Sequence, residues 1–133
     1  MDGERIAECR CGRARALCRG EPVRISVCHC LACQRRTGSA FGAQARFPAE
    51  QVEISGDLSI FVREADSGTF VRYLFCSSCG STIAYAVETQ PDLIAIPMGA
   101  FADPDFPAPS FSVYEQRMHN WTAVLGPDVK HED

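Results

Sequence analysis

The sequence has no run approaching the ~20 apolar residues of a membrane span, so no helical span is expected. Its opening stretch, "MDGERIAECRCG", has no apolar run either, and a secretory signal is not expected. It lacks a basic excess: 13 Lys and Arg stand against 17 Asp and Glu, for a net charge of −4, and this argues against a nucleic-acid partner. No stretch sustains a helical period, and no internal repeat is visible. With 133 residues and 46% hydrophobic content, the chain can bury a core of its own, and one domain spanning 1–133 is expected. A cytoplasmic setting follows, where thiols stay reduced and disulfides are rare.

Short runs rich in Val, Ile, Phe and Tyr alternate with turn residues. Strands are expected at 14–18, 23–27, 40–47, 58–62, 69–75, 81–87 and 93–100. "SGD" (55–57) and "DSG" (66–68) mark turns. The helix candidates are short: "LACQRRTG" (31–38), and a single turn near "PAEQ" (48–51). "ADPDFPAP" (102–109) is a loop, and the polar tail "GPDVKHED" is expected to fray. The fold class is therefore mainly β, built from short antiparallel strands with cysteines at their ends.

What the chain has in quantity is cysteine. Eight are present, and seven fall in three tight clusters, "CRC", "CHCLAC" and "CSSC". In a reducing compartment such spacing points to metal or catalysis rather than to a disulfide framework. "FCSSCGS" (75–81) has the form of a zinc knuckle, with two thiolates around a tight turn that a glycine closes. Two more ligands must come from elsewhere. Cys30 with Cys33 would make a long-looped ribbon, and Cys9 with Cys11 would tie the N-terminal segment to the middle of the chain. Spacing alone does not decide between them. Parsimony favours Cys9, Cys11, Cys76 and Cys79, because that choice leaves Cys28, Cys30 and Cys33 as a self-contained trio. Four thiolates saturate a structural zinc, whereas three leave a position open for water or a substrate. A thiol entering that position would ionise near neutral pH.

The series "CRCGRARALCRGEP", "CHCLACQRRTGSAF" and "FCSSCGSTIAY", followed by "GAFADPDF" and Trp121, resembles the glutathione-dependent formaldehyde-activating enzymes. These are the S-(hydroxymethyl)glutathione synthases, a family that includes CENP-V-like proteins. The similarity runs from about residue 5 to Trp121. It implies a zinc-containing β-fold related to the Rab guanine-nucleotide-releasing accessory factors. It also implies a structural zinc at Cys9, Cys11, Cys76 and Cys79, and a second, catalytic zinc at Cys28, Cys30 and Cys33. The implied activity is that of a carbon–sulfur lyase working in reverse, adding glutathione to formaldehyde. The alternative is a non-enzymatic zinc module with a structural or redox-sensing role. A methionine sulfoxide reductase of the B type is disfavoured, because no cysteine follows Cys79.

Other residues carry smaller expectations. Arg35 and Arg36 follow the trio directly and suit the carboxylates of glutathione, since a guanidinium binds them bidentately. His29 is read as a non-ligand able to assist a proton transfer, because neighbouring residues in a tight turn point apart. Gly38 should cap the short helix with an unusual backbone angle. Cys18 should behave as a small buried hydrophobe. Trp121 and the phenylalanines at 101, 106 and 111 are assigned to the core.

Overall fold

The computed structural model describes residues 3–133. Strands β1 (Glu4–Glu8), β2 (Ala14–Arg19) and β5 (Val52–Gly56) form a small antiparallel sheet in the order β1–β2–β5. A larger sheet holds β3 (Arg24–Cys28), β4 (Gly42–Pro48), β6 (Leu58–Glu64), β7 (Phe70–Cys76) and β8 (Thr82–Val87). It also takes in β9 (Leu93–Pro97), β10 (Phe111–Val113) and β11 (Lys130–His131). Its order is β11–β10–β3–β4–β9–β8–β7–β6. Pairing is antiparallel except at β10, which runs parallel to both β3 and β11. The mainly β expectation is met. One α-helix, α1 (Leu31–Thr37), joins β3 to β4. Among the described residues no helix is long and apolar enough to cross a membrane.

Period-two patterning explains the packing. Along β2, Ala14, Ala16 and Cys18 are buried while Arg15 and Arg19 face water. That row meets Ile25, Ala45, Phe47, Ile83, Ala84 and Ile96 of the large sheet in one apolar cluster. Full burial of Phe47, Ile83 or Ile96 contributes roughly 1.5–3 kcal/mol each. Small side chains on β2 let the two sheets approach closely. Cys18 is fully buried here, as a small hydrophobe would be.

The chain passes from the small sheet to the large one at Gly56–Asp57. Gly56 has φ +111°, and a Cβ there would lie 2.0 Å from the Arg13 carbonyl oxygen, so only glycine fits. Asp57 N–H then donates to that oxygen at 3.0 Å.

Several expectations need correction. The 93–100 strand stops at Pro97, and Met98–Phe101 forms a 3-10 turn. The tail does not fray throughout: Lys130–His131 pairs with β10, and Glu132 N–H donates to the Ser112 carbonyl at 2.8 Å. Trp121 is 75% exposed and meets only the edge of His119, whereas Phe101 and Phe106 do enter the core. Strands β1, β5, β10 and β11 were not anticipated. α1 ends as expected, with Gly38 in the left-handed region at φ 71° and its N–H bonded to the Gln34 carbonyl.

Candidate metal centres and the cleft beside them

Two groups of sulfurs form. Cys9 and Cys11 sit in the turn after β1, while Cys76 ends β7 and Cys79 sits in the turn after it. The four Sγ atoms lie within 4.8 Å of one another. Cys9 Sγ is 3.7 Å from Cys11 Sγ, and Cys11 Sγ is 3.6 Å from Cys76 Sγ. A tetrahedral zinc with Zn–S of about 2.3 Å requires sulfur–sulfur edges of about 3.8 Å, so the spacing fits.

The two turns are built alike. Gly12 N–H bonds the Cys9 carbonyl at 3.1 Å, and Gly80 N–H bonds the Cys76 carbonyl at 2.9 Å, with both glycines at positive φ. Backbone amides then point at sulfur. Ala14 N–H donates to Cys9 Sγ at 3.2 Å, and Ser78 N–H to Cys76 Sγ at 3.4 Å. Cys79 Sγ lies 3.5 Å from the Ser81 hydroxyl, which with the Ser81 amide brings the Cys79 thiol down to about 5. Such donors favour thiolates, the form a metal binds.

The trio forms at the end of β3 and the start of α1. Cys28, Cys30 and Cys33 have their sulfurs within 4.8 Å of one another. Cys30 is the N-cap of α1, and its Sγ accepts from the Cys33 amide at 3.3 Å. Cys28 and then Cys33 share protons with Cys30, and this holds its thiol well below the ordinary value. The same contacts, Cys30 first, push Cys28 up. Three sulfurs at this spacing are a donor set suited to zinc, which would bind them as thiolates. His29 contributes no atom to this group. Its ring is fully buried, 2.9 Å from the Ser112 hydroxyl through Nε2, and burial lowers its pKa.

Register explains what faces the trio. Directly paired residues share a face of a sheet, so Cys28 and Gly42 lie on one side. On that side a row runs from Arg46 through Ala95, Tyr85 and Tyr73 to Phe61. The rings of Tyr85 and Tyr73 are 5.3 Å apart, and those of Tyr73 and Phe61 6.4 Å. α1 lies over one end of the row. It fits closely because Gly42 has no side chain, and a Cβ there would be 3.1 Å from Arg36 Nη2 and 3.4 Å from Cys33 Cβ. Arg36 stands 5.3 Å from the centre of the Tyr85 ring, with Nη2 buried and without a hydrogen-bond partner.

The aromatic row, the start of α1 and the segment near Tyr114 enclose a cleft of about 1080 Å³. Cys30, Arg35 and Arg36 line it, and so do Arg63, Arg117 and Tyr73. Sequence reading missed Arg63, Arg117 and the aromatic floor. The alternation of Tyr73 and Phe75 in β7 was the available signal, and Arg117 had none. Gln34 fixes the far wall. Its Nε2 donates to the His29 carbonyl at 2.8 Å and to the Arg117 carbonyl at 3.1 Å, while its Oε1 accepts from His119 at 2.9 Å.

A solved protein of Rhodobacter sphaeroides has a similar fold, with a TM-score of 0.57 and 16% identity over 77% of this chain and 90% of that one. No curated protein sequence matches the chain significantly. Residues 4–117 match the family described as "Glutathione-dependent formaldehyde-activating enzyme". That span takes in every cysteine, α1 and ten of the strands, from β1 to β10, and the chain belongs to the glutathione-dependent formaldehyde-activating enzyme family.

Proposed function

We propose that this protein adds the thiol of glutathione, or of a closely related small thiol, to formaldehyde or a similar electrophile. One observation carries the reading: a three-sulfur group, with no fourth protein ligand among the described residues, opens through Cys30 onto a cleft lined by Arg35, Arg36, Arg63 and Arg117. Zinc bound by Cys28, Cys30 and Cys33 would supply Lewis acidity that lowers the pKa of a thiol entering the cleft.

The chain's own groups do the rest. Glutathione carries two carboxylates, and guanidinium groups on the cleft wall recognise such groups bidentately. Arg35 and Arg36 adjoin the trio in sequence, so a carboxylate held there leaves the thiol within reach of the sulfurs. The aromatic floor displaces water, which strengthens each charge interaction. In the addition, sulfur forms a bond to the carbonyl carbon, the C=O π pair moves to oxygen, and oxygen takes a proton. Orientation is the main contribution the protein can make to such an addition. The four-sulfur group lies in the other set of turns and would serve the fold.

The test is to measure zinc per chain and the rate of S-hydroxymethylglutathione formation by NMR, for the wild type, Cys30→Ser and Arg36→Gln. The reading expects two zincs in the wild type and about one in Cys30→Ser, with catalysis lost. It expects Arg36→Gln to keep both metals and raise KM for glutathione. A wild type loaded with two zincs that gives no rate above the uncatalysed reaction would overturn it.

A further inference from the structure

We infer that the free edge of β6 is a homodimer interface, in which β6 pairs antiparallel with β6 of a second copy about a two-fold axis at Ile60. β6 ends the large sheet, so one row of its backbone groups has no partner strand among the described residues. Soluble proteins usually blunt such an edge with charge, proline or a bulge. Here the middle of the strand is instead "IFV", with Ile60 53%, Phe61 57% and Val62 53% exposed. Apolar side chains stand out on both faces of the strand, as they do in strands interior to a sheet.

Backbone parity shows which residues present hydrogen bonds outward. Ala65 N–H bonds the Thr69 carbonyl, and Ser77 N–H bonds the Asp57 carbonyl, so odd-numbered residues of this strand point at β7. The even-numbered residues Leu58, Ile60 and Val62 therefore direct their N–H and C=O groups to the free edge.

A symmetric antiparallel pairing must place even residues opposite even residues. Centring it on Ile60 sets Ile60 opposite its own copy and Leu58 opposite Val62. The same register sets Arg63 opposite Asp57 of the partner subunit, and Asp57 opposite the partner subunit's Arg63. These pairs fall at closely spaced, non-hydrogen-bonded positions, where side chains interact best. Centring on Phe61 instead would set Arg63 opposite Ser59 and Asp57 opposite Ala65, and centring on Val62 would place the two Arg63 residues diagonally adjacent, so both leave Asp57 without a cation opposite. Charge complementarity thus selects both the occupant, a second copy, and the register. Phe61 belongs both to this edge and to the cleft that Cys30 lines, so the second copy would extend the cleft wall.

The experiment is sedimentation equilibrium on the full-length, zinc-loaded chain, with zinc content and melting temperature as folding controls. The wild type should dimerise. Ile60→Lys, an exposed substitution, should raise the dimer dissociation constant by roughly 100-fold or more, since two ammonium groups would meet at the axis. Val62→Pro should also give monomer while leaving the β6–β7 ladder intact, because the lost N–H faces outward. Asp57→Arg should weaken the dimer, and Asp57→Arg with Arg63→Asp should restore it. A monomeric wild type, or a dimer indifferent to Ile60→Lys and Val62→Pro, refutes the interface. A dimer broken by both but not restored by the charge swap refutes this register.

Discussion

Removing the four-sulfur group should melt the protein at a much lower temperature, and the loss can be sized from the chain. Cys11 and Cys76 are 65 positions apart, so a metal gripping both closes a long loop. Loop-closure entropy for a cross-link of that span is about 14.5 cal/mol/K, or about 4.3 kcal/mol at 25 °C. For 133 residues the unfolding entropy near the midpoint is about 0.28 kcal/mol/K, so the metal should raise Tm by about 15 °C through loop closure alone. The trio spans only residues 28–33. The same relation gives about 2 kcal/mol, or about 7 °C.

The perturbation is Cys11→Ser combined with Cys79→Ser, because these are the less buried sulfurs of the four and their replacement spares the packed Cys9 and Cys76. Calorimetry on zinc-loaded protein should show this double variant melting about 15 °C below the wild type, with Cys30→Ser falling half as far or less. Chelation of the wild type should reach the double variant's midpoint or lower. The reasoning fails if chelated and loaded wild type melt together. It fails equally if Cys30→Ser loses as much as the double variant.

Gly56→Ala should cost at least ~4 kcal/mol, because its Cβ would overlap the Arg13 carbonyl at 2.0 Å in a positive-φ conformation; urea unfolding would show a midpoint shift to match or no folded protein at all. Burial pushes the Cys18 thiol up to about 11 from its ordinary 9.0, so the unfolded chain ionises there first. The stability Cys18 contributes is therefore complete below pH 9 and is lost as pH rises from 9 to 11, and Cys18→Ala should flatten that part of the urea stability–pH curve.

How much of this was legible in the sequence follows from what is local. "FVRYLF" and "TIAYAV" declare themselves as strands because β-branched and aromatic residues alternate within them. "ERIAE" and "VEISG" do not, since in β1 and β5 charged side chains face water and little apolar surface remains to mark the period. β10 is three residues long and exists because β3 and β11 lie beside it, a circumstance no local pattern encodes. The cysteines were legible for the opposite reason: metal geometry constrains spacing within a turn, so CxC and CxxC carry the information themselves. The cleft was half legible. Arg35 and Arg36 adjoin the trio, whereas Arg63 and Arg117 reach the cleft from β6 and from the turn after β10.

The same distinction between local and distant explains why one chain would carry two sulfur groups. The four-sulfur group draws two sulfurs from each of two segments, and in each segment a backbone N–H already donates to sulfur. Its loss would free the turn between β1 and β2 from the turn after β7, while the apolar cluster still joins the two sheets. The trio takes every ligand from one short segment at the mouth of a cleft, so it closes no long loop and the sheets can pack without it. On the proposed function, a site that closes no long loop could keep a position open, lose its metal and regain it. The residues around it also have anchors beyond the sulfurs: Arg36 stands over Tyr85 of the sheet, and Gln34 bridges to Arg117. On the proposed function, that separation would let the cleft retain its shape while a thiol enters or leaves.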